Sequence, residues 1–531
     1  MAYPKFFIKQ VSIIKILFYS TFFMLFSCDQ KQHNSPVNHS SNQQYSETNI
    51  PKFANNPPTS RSREVLIRAV YGDLVNRPEL LENQNQSAFL RDIFEGLVGY
   101  DTNGNIVPAV AESWQTEDNK NWVFILRENA KWSNGEPVTA EDFVKSWQKL
   151  ALSNSPLKNY LAFMNIKNAK LVIENTTLTE PLGISAIDKR ILLIELDKAT
   201  PYLPEMLVHS SLLPQYFGEQ QGTIGNGAYQ VLNQENDLVH LIKNSYYWDK
   251  QNVSFNFVDY KKITDEKNIN NIDLWINPKY KDQTDIHFLP KQCLYFYTFN
   301  FSHQQLQHLA IRQALKAMIS NKNITPNHML PLNSILPRSL QQESQAAWSY
   351  VLVEKLLKEA NITEKVPLRF KLVYDNGEIH SDIAKRLTQM WSQSDLLRID
   401  TAQVSYDELL KRRATGDFDL IRAGWCSDYK EPSAFLNQFH SHSADNQVGY
   451  NNPRVDELLD ESIKIISPEK RTALYQQIVD ELQKDVVILP IFQYTIPYYW
   501  HSSVLGINDE NDTGVIYSKD LYRKLETQTR R

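Results

Sequence analysis

Apolar and polar residues recur along this chain with two periods, and the switch between them marks out its elements. "EVLIRAVYG" is an apolar run with β-branched residues and reads as a strand. In "SAFLRDIFEGLVGYD", Phe89, Ile93 and Leu97 recur at helical spacing before a turn. "NWVFILRENAKWSNGEPVTAEDFVKSWQKLA" reads strand, turn, helix: Thr139 caps the helix, Glu141 lies early in it, and Phe143, Val144 and Trp147 form its apolar face. "ILLIELD" and "VHLIKN" are strand-like and flank a segment ending in "GNGAYQV". Gly222, Gly225 and Gly227 imitate a nucleotide loop there, but no "GKS" or "GKT" follows and no long helix opens. They predict a tight turn into a strand.

Beyond Cys293 the pattern becomes α/β. "CLYFYTFNF", "LRFKLVYD" and "FDLIRAGW" are strands, while "HLAIRQALKAMIS", "SYVLVEKLLKEANI" and "SDIAKRLTQMWSQSDL" are amphipathic helices. Two further helices, "VDELLDESIKII" and "RTALYQQIVDELQK", precede the strand-like "VVILPIFQYTIPYYW". Strands joined by crossover helices predict a mixed sheet with ligands near strand ends.

The N-terminus breaks both periods. Lys5, Lys9 and Lys15 precede "ILFYSTFFMLFS", twelve apolar or small residues ending at Cys28, too short to span a bilayer and suited to a signal segment. Leu25-Phe-Ser-Cys28 resembles a lipoprotein box, which predicts a signal peptide over 1–27 and lipidation at Cys28. Removing 1–27 takes the formal charge from −5 to −8. Residues 28–62 are rich in Asn, Gln, Ser, Pro and His without a period, and read as a tether reaching on the order of 30 Å.

Composition then narrows the function. A chain of 531 residues, 42% hydrophobic, can bury a large core in two or three lobes. Net charge −5 with no long basic run argues against a nucleic-acid partner. There is no HExxH, CxxC or GxSxG, so no enzyme class is nominated and no cofactor is expected. "HSHSAD", His440 to Asp445, is the nearest approach to a metal cluster and reads better as a solvated loop, so no metal is expected. Cys28, Cys293 and Cys426 make an odd count. With Cys28 lipidated, the other two either pair in an oxidising compartment or remain separate thiols.

At "RDIFEGLVGYD", "VAESWQTEDNKNWVFILRENAKWSNGEPVTAEDFVKSWQKL", "NGAYQV", "RAGWCSDYKEPSAFLNQF" and "RTALYQQI" the chain resembles the oligopeptide-binding proteins of bacterial ABC importers, in solute-binding protein family 5. The resemblance runs from about Val65 to the C-terminus. It implies an α/β, two-lobed periplasmic binding protein (type II, cluster C) with an extra domain inserted in the first lobe. The implied parts are 63–94, 211–292 and 496–531 as lobe I, 95–210 as the insert and 293–495 as lobe II. The implied ligand is a short peptide bound as an extended strand, with main-chain hydrogen bonds giving affinity and roomy pockets taking side chains. The implied partners are the importer's permease subunits, and the implied setting is the periplasm, lipid-anchored at the inner membrane, as a monomer.

By the same resemblance, Asp428 matches the partner of the peptide's α-ammonium, Gly424 lets a ligand backbone approach, Trp425 walls a pocket, and Cys426 pairs with Cys293 to brace the strand. Arg422, Arg413 and His380 match groups able to meet the terminal carboxylate. Glu82, Tyr160, Asn277, Tyr406, Asn446 and Tyr494 match cleft-lining positions. The chain departs from the pattern in three places. Tyr406 stands where relatives carry tryptophan, residues 260–292 are shorter and match loosely around "NIDLWINPKY", and "ITPNHMLPLNSILP" lacks a lysine found in relatives. The same fold could instead receive haem, a cell-wall peptide or an antimicrobial peptide. Outside that class, a secreted peptidase would show turnover, and a chaperone or sensor would bind without regard to free termini.

Overall fold

The computed structural model describes residues 64–176, 180–220, 222–264, 271–279, 285–341 and 350–524, the side chains of 350 and 351 excepted. The expected signal segment, Cys28 and the tether lie outside the described residues.

Among these residues, eleven strands form one mixed sheet. In chain order they are β1 (Val65–Val70), β2 (Tyr229–Glu235), β3 (Leu238–Lys243), β4 (Phe257–Lys262), β5 (Leu274–Ile276), β6 (Ile286–Phe299), β7 (Leu330–Pro331), β8 (Leu368–Asp375), β9 (Leu397–Val404), β10 (Leu420–Cys426) and β11 (Ile488–Trp500). The spatial order is β9-β8-β10-β6-β11-β5-β1-β4-β3-β2, with β7 paired to β11 off this path. β1 runs parallel to β4 and β5, and β8 runs parallel to β9 and β10. A separate four-stranded antiparallel sheet lies within Ala111–Glu195.

β6 and β11 join the two halves of the large sheet. Leu294–Thr298 of β6 pairs with Ile488–Gln493, and Ile286–Pro290 pairs with Thr495–Tyr499. Between these stretches Lys291, Gln292 and Cys293 face Tyr494 alone, a register irregularity in the middle of both strands. Such bulges bend a strand and redirect its side chains.

The apolar run "CLYFYTFNF" follows from burial on both faces. Tyr295, Tyr297 and Phe299 join a core with Ile311, Leu315, Leu357, Leu387 and Trp391 from the covering helices. Leu294 and Phe296 point the other way, into a core with Phe435, Leu458, Tyr475 and Leu482. Full burial of each such side chain contributes about 1.5–3 kcal/mol.

The helix expected around Phe89 spans Gln84–Ile93 and stops short of Leu97. Phe94 is already extended, and Val98–Tyr100 forms a strand. The reason lies in the glycine segment. Gly227 N donates to Ile93 O at 3.0 Å, and Asn226 bonds the backbone of Glu95 in both directions. A Cβ on Gly225 would lie 1.9 Å from Ile93 O, and one on Gly227 would lie 2.6 Å from Asp92 O. The loop that leads into β2 therefore crosses the helix terminus at a distance only glycine permits. Thr139 begins its helix as expected, with the Asp142 carboxylate accepting from Thr139 N at 2.7 Å and Oγ1 at 2.9 Å.

Candidate ligand-binding site

Cys293 and Cys426 face each other in the antiparallel ladder of β6 and β10 and form a disulfide, with Cα atoms 4.0 Å apart. Because side chains alternate across a sheet, the register places Cys293·Cys426, Tyr295·Gly424 and Tyr297·Arg422 on one face of this ribbon. Trp425 lies on the other face. It packs into the core containing Phe435 and Leu436, and its Nε1 donates to Ala434 O at 2.6 Å. A Cβ on Gly424 would meet Leu294 O at 3.0 Å.

At the inner end of this face the structure gathers a basic and aromatic cluster. Arg422 Nη1 lies 3.5 Å from Asp375 Oδ1, and its guanidinium stands 5.2 Å over the Tyr295 ring. Asp375 ends β8, and His380 opens the helix His380–Trp391 that follows, so both come from the carboxyl end of a parallel strand, where open α/β sheets place their sites. His380 Nδ1 is 3.1 Å from the Tyr295 hydroxyl, and the two rings stack at 5.4 Å. Burial, then the Arg422 charge, lowers the His380 pKa to about 4 against the pull of Asp375. His380 is therefore neutral at pH 7 and serves as a hydrogen-bonding group rather than a cation.

Tyr406 and Arg413 come from the helix Tyr406–Thr415, and Tyr494 comes from β11 opposite the irregularity. Tyr494 hydrogen-bonds Arg422. Burial lowers the Arg413 pKa, Tyr406 counters, and the Arg422 charge lowers it further. Neither Arg413 Nε nor Arg422 Nε has a hydrogen-bond acceptor among the described residues. Asp375 stands beside Arg422 and the Asp445 charge acts on Arg413, so the two guanidiniums are balanced in charge, but buried donors without partners are costly. The cluster is chemically suited to an anion.

Asp428 lies six positions along the chain from Arg422, in a bend two residues past the end of β10, so the two are at most about 20 Å apart along the backbone. Its side chain is exposed to water, yet the protein around it raises its carboxyl above the usual aspartate range, opposed by the Lys291 charge. Tyr160 stands close enough for the Asp428 charge to act on its phenol, whose hydroxyl donates to Met206 O at 3.1 Å. Asn446 is turned inward on its own loop, bonding His440 O and both backbone groups of Tyr450. Glu82 and Asn277 are exposed. Asn277, at φ 52°, donates its backbone N–H to Pro497 O at 2.8 Å, and neither residue joins the basic cluster by a described contact. Sequence reasoning missed Tyr295, Asp375 and Lys291. An acid closing a parallel strand was the available signal for Asp375.

The segment carrying Asp428 is held against the Leu203–Met206 helix. Tyr429 stacks on Tyr202 at 5.4 Å with 9° between planes, and Asn437 Nδ2 donates to Tyr202 OH at 3.4 Å. Two acids meet there: Glu431, which accepts from Ser433 N at 2.6 Å and lies 3.7 Å from Arg471 Nε, and Glu205, whose Oε2 has no hydrogen-bond partner among the described residues. Burial and the Glu431 charge raise the Glu205 pKa to about 7. A carboxyl with a raised folded-state pKa binds its proton more tightly when folded, so stability is greatest below the unfolded value and falls as pH rises toward 7. The expected thermal midpoint drops between pH 5 and pH 8, and Glu205→Gln flattens that slope. A wild-type profile flat over this range would refute the coupling.

A family model for bacterial extracellular solute-binding proteins, family 5, matches residues 105–447. The chain belongs to that family. This family 5 protein is 45% identical over 96% of its length to a putative binding protein of Haemophilus influenzae, covering 97% of it. It is 32% identical over 84% of its length to the periplasmic oligopeptide-binding protein OppA of Salmonella typhimurium, covering 90% of it. Family 5 membership brings the two-lobed periplasmic binding-protein fold, and these relatives are binding proteins rather than enzymes. Among solved structures it resembles the unliganded open form of the murein tripeptide-binding protein MppA, with TM-score 0.82 at 28% identity, covering 88% of this chain and 99% of that one. Against Haemophilus influenzae OppA in complex with RPPGFSPFR the TM-score is 0.57 at 27% identity, covering 87% and 100%. At nearly equal identity, the similarity to the unliganded open form is the greater of the two. Among its described residues, no helix is long and apolar enough to cross a membrane.

Proposed function

We propose that the protein is the substrate-binding component of an ABC peptide importer, holding short peptides in extended form between its lobes and delivering them to a permease. The observation that carries the reading is the charge layout about the β6·β10 ribbon: an anion, Asp428, two residues past its outer end, and, at the inner end, Arg422 on the ribbon and Arg413 on the helix Tyr406–Thr415, whose Nε groups have no acceptor among the described residues. A free peptide carries the opposite charges at its two ends. That separation, at most about 20 Å, less the reach of an arginine side chain, suits a ligand of up to about four residues. Relatives named for oligopeptides and for a murein tripeptide support the same class. In this reading Asp428 takes the α-ammonium, and Arg422 and Arg413 take the carboxylate with His380 as a neutral partner. Glu82, Tyr160, Asn277, Tyr406, Asn446 and Tyr494 line the cleft, Gly424 leaves room for the ligand backbone, and Trp425 supports the ribbon from behind.

Lobe I then comprises 63–94, 211–292 and 496–531, the insert 95–210, and lobe II 293–495. The irregularity opposite Tyr494 falls at the expected boundary, which supports a hinge there. The basic N-terminus, the apolar run and Cys28 support a lipid-anchored monomer facing the periplasm.

Native mass spectrometry of the purified protein, followed by denaturation and identification of what is released, tests the reading. A ladder of short peptides with free termini is expected. Haem or a single non-peptide species would overturn it.

A further inference from the structure

Asp512 is only 1% exposed and belongs to the segment that follows β11, yet the bend that carries Asp428 is tied to it on both sides. On the entering side, Ser427 N donates to Gln292 O at 2.8 Å, and the Gln292 side-chain amide donates to Asp512 Oδ2. The Ser339 hydroxyl donates to the same oxygen. On the leaving side, Lys430 Nζ lies 3.0 Å from Asp512 Oδ1 and donates to Asn103 O at 3.3 Å. One carboxylate thus closes a ring through Gln292, Ser427 and Lys430, with Asp428 inside the spanned stretch. The bend is also closed on itself, because Tyr429 N donates to Ser427 Oγ at 3.1 Å and Ser427 Oγ donates back to Tyr429 O.

The anchor is held by bonds of its own. The Asn511 side chain accepts from Thr513 N at 3.0 Å and from Thr513 Oγ1 at 2.7 Å, and donates to Val515 O at 3.3 Å. The turn that carries Asn103 packs against this loop so closely that a Cβ on Gly104 would lie 2.7 Å from Thr513 Cγ2. A buried carboxylate is costly without a cation, and the largely covered Lys430 side chain supplies one.

We propose that Asp512 is a positioning residue which, with Lys430 as its counter-charge, holds the Asp428 carboxylate where the ligand's α-ammonium arrives. The inference deepens the peptide reading above and rests on it. Asp428 is exposed and lies beyond the last ladder pair, Cys293·Cys426, so the sheet alone does not fix it. A carboxylate left to wander is ordered only when ligand binds, and that entropy is subtracted from the affinity. Ties at Ser427 and Lys430 meet this cost in advance, and a charge-assisted contact makes the second of them strong. Asp512 therefore acts through Asp428 alone, and its loss is felt only by ligands that use Asp428.

The test is isothermal titration of tetra-alanine and N-acetylated tetra-alanine, at a temperature where near-ultraviolet circular dichroism of each variant matches the wild type. Asp512→Asn keeps the shape of the anchor and drops its charge, and Lys430→Met cuts the same tie from the other end. Each is expected to weaken tetra-alanine about tenfold and to leave the acetylated peptide within about twofold. Combined with Asp428→Asn, neither should weaken tetra-alanine further. Undiminished affinity for tetra-alanine overturns the assignment. So does an equal loss for the two peptides, or a further loss in the Asp428→Asn background, since a general support of the fold would produce either. If the wild type binds both peptides equally, or neither, the peptide reading itself fails and takes this inference with it.

Discussion

Asp428→Asn is expected to weaken binding of free-amine peptides by roughly 100-fold, the scale on which truncating one partner of a covered charge pair acts. The asparagine keeps the shape and hydrogen-bonding capacity of the side chain, so the loss reports the missing charge. N-acetylated peptides should bind the wild type poorly and lose little more in the variant, since the interaction removed from the protein was already removed from the ligand. The pH dependence carries a definite sign. The protein around Asp428 raises its carboxyl above the ordinary range although its surface is wet, and only the ionised form can hold an ammonium. Affinity for free-amine peptides should therefore decay on acidification at a higher pH than an unperturbed aspartate would give, and Asp428→Asn should show no such decay. Water reaches the carboxyl here, so the effect is expected to grow where a bound ligand covers it. Equal affinity of the wild type for free and acetylated peptides would remove Asp428 from the proposed role.

The strands and helices that build the second half of the sheet were legible because each carries one period over many residues. "LRFKLVYD", "FDLIRAGW" and "RTALYQQIVDELQK" sit where their patterns put them, in β8, in β10 and in the helix Pro468–Lys484. What misled was local periodicity overruled from a distance. Leu97 continues the helical spacing of Phe89 and Ile93, yet the helix ends at Ile93 because a loop some 130 residues later crosses its terminus. No window on residues 84–97 contains that information.

The site divides in the same way. Asp428 and Arg422 belong to a motif recognisable in one dimension, and so do the paired cysteines. The aromatic partner behind Arg422 was not recognisable. Tyr295 acquires meaning only from the β6·β10 register, which sets it opposite Gly424 and on the face of Arg422. The neutrality of His380 was equally out of reach, because it depends on burial beside Arg422, a property of the fold.

Removing the bridge, as Cys293→Ala with Cys426→Ala, should have the largest effect on stability. The two cysteines are 133 residues apart, and a cross-link over a loop of that length lowers the entropy of the unfolded chain by an amount worth about 4–5 kcal/mol, an upper figure before any strain or residual structure is subtracted. The closed loop contains β7, β8, β9 and the helices that cover them, whereas β1 to β5 lie outside it. Denaturation should show a lowered midpoint, and amide exchange should accelerate chiefly in β8, β9 and β10, while β1 and β4 keep their protection. Equal acceleration in both groups would mean that the sheet, continuous through β6 and β11, opens as one cooperative unit and that the bridge stabilises all of it. Peptide binding measured where the variant is still folded should fall by only about tenfold, because Phe296·Ala423 and Tyr297·Arg422 still set the register and the bridge adds only rigidity at the end that presents Asp428. A loss of binding as large as that of Asp428→Asn would show instead that the ribbon cannot hold its anion in place without the covalent tie.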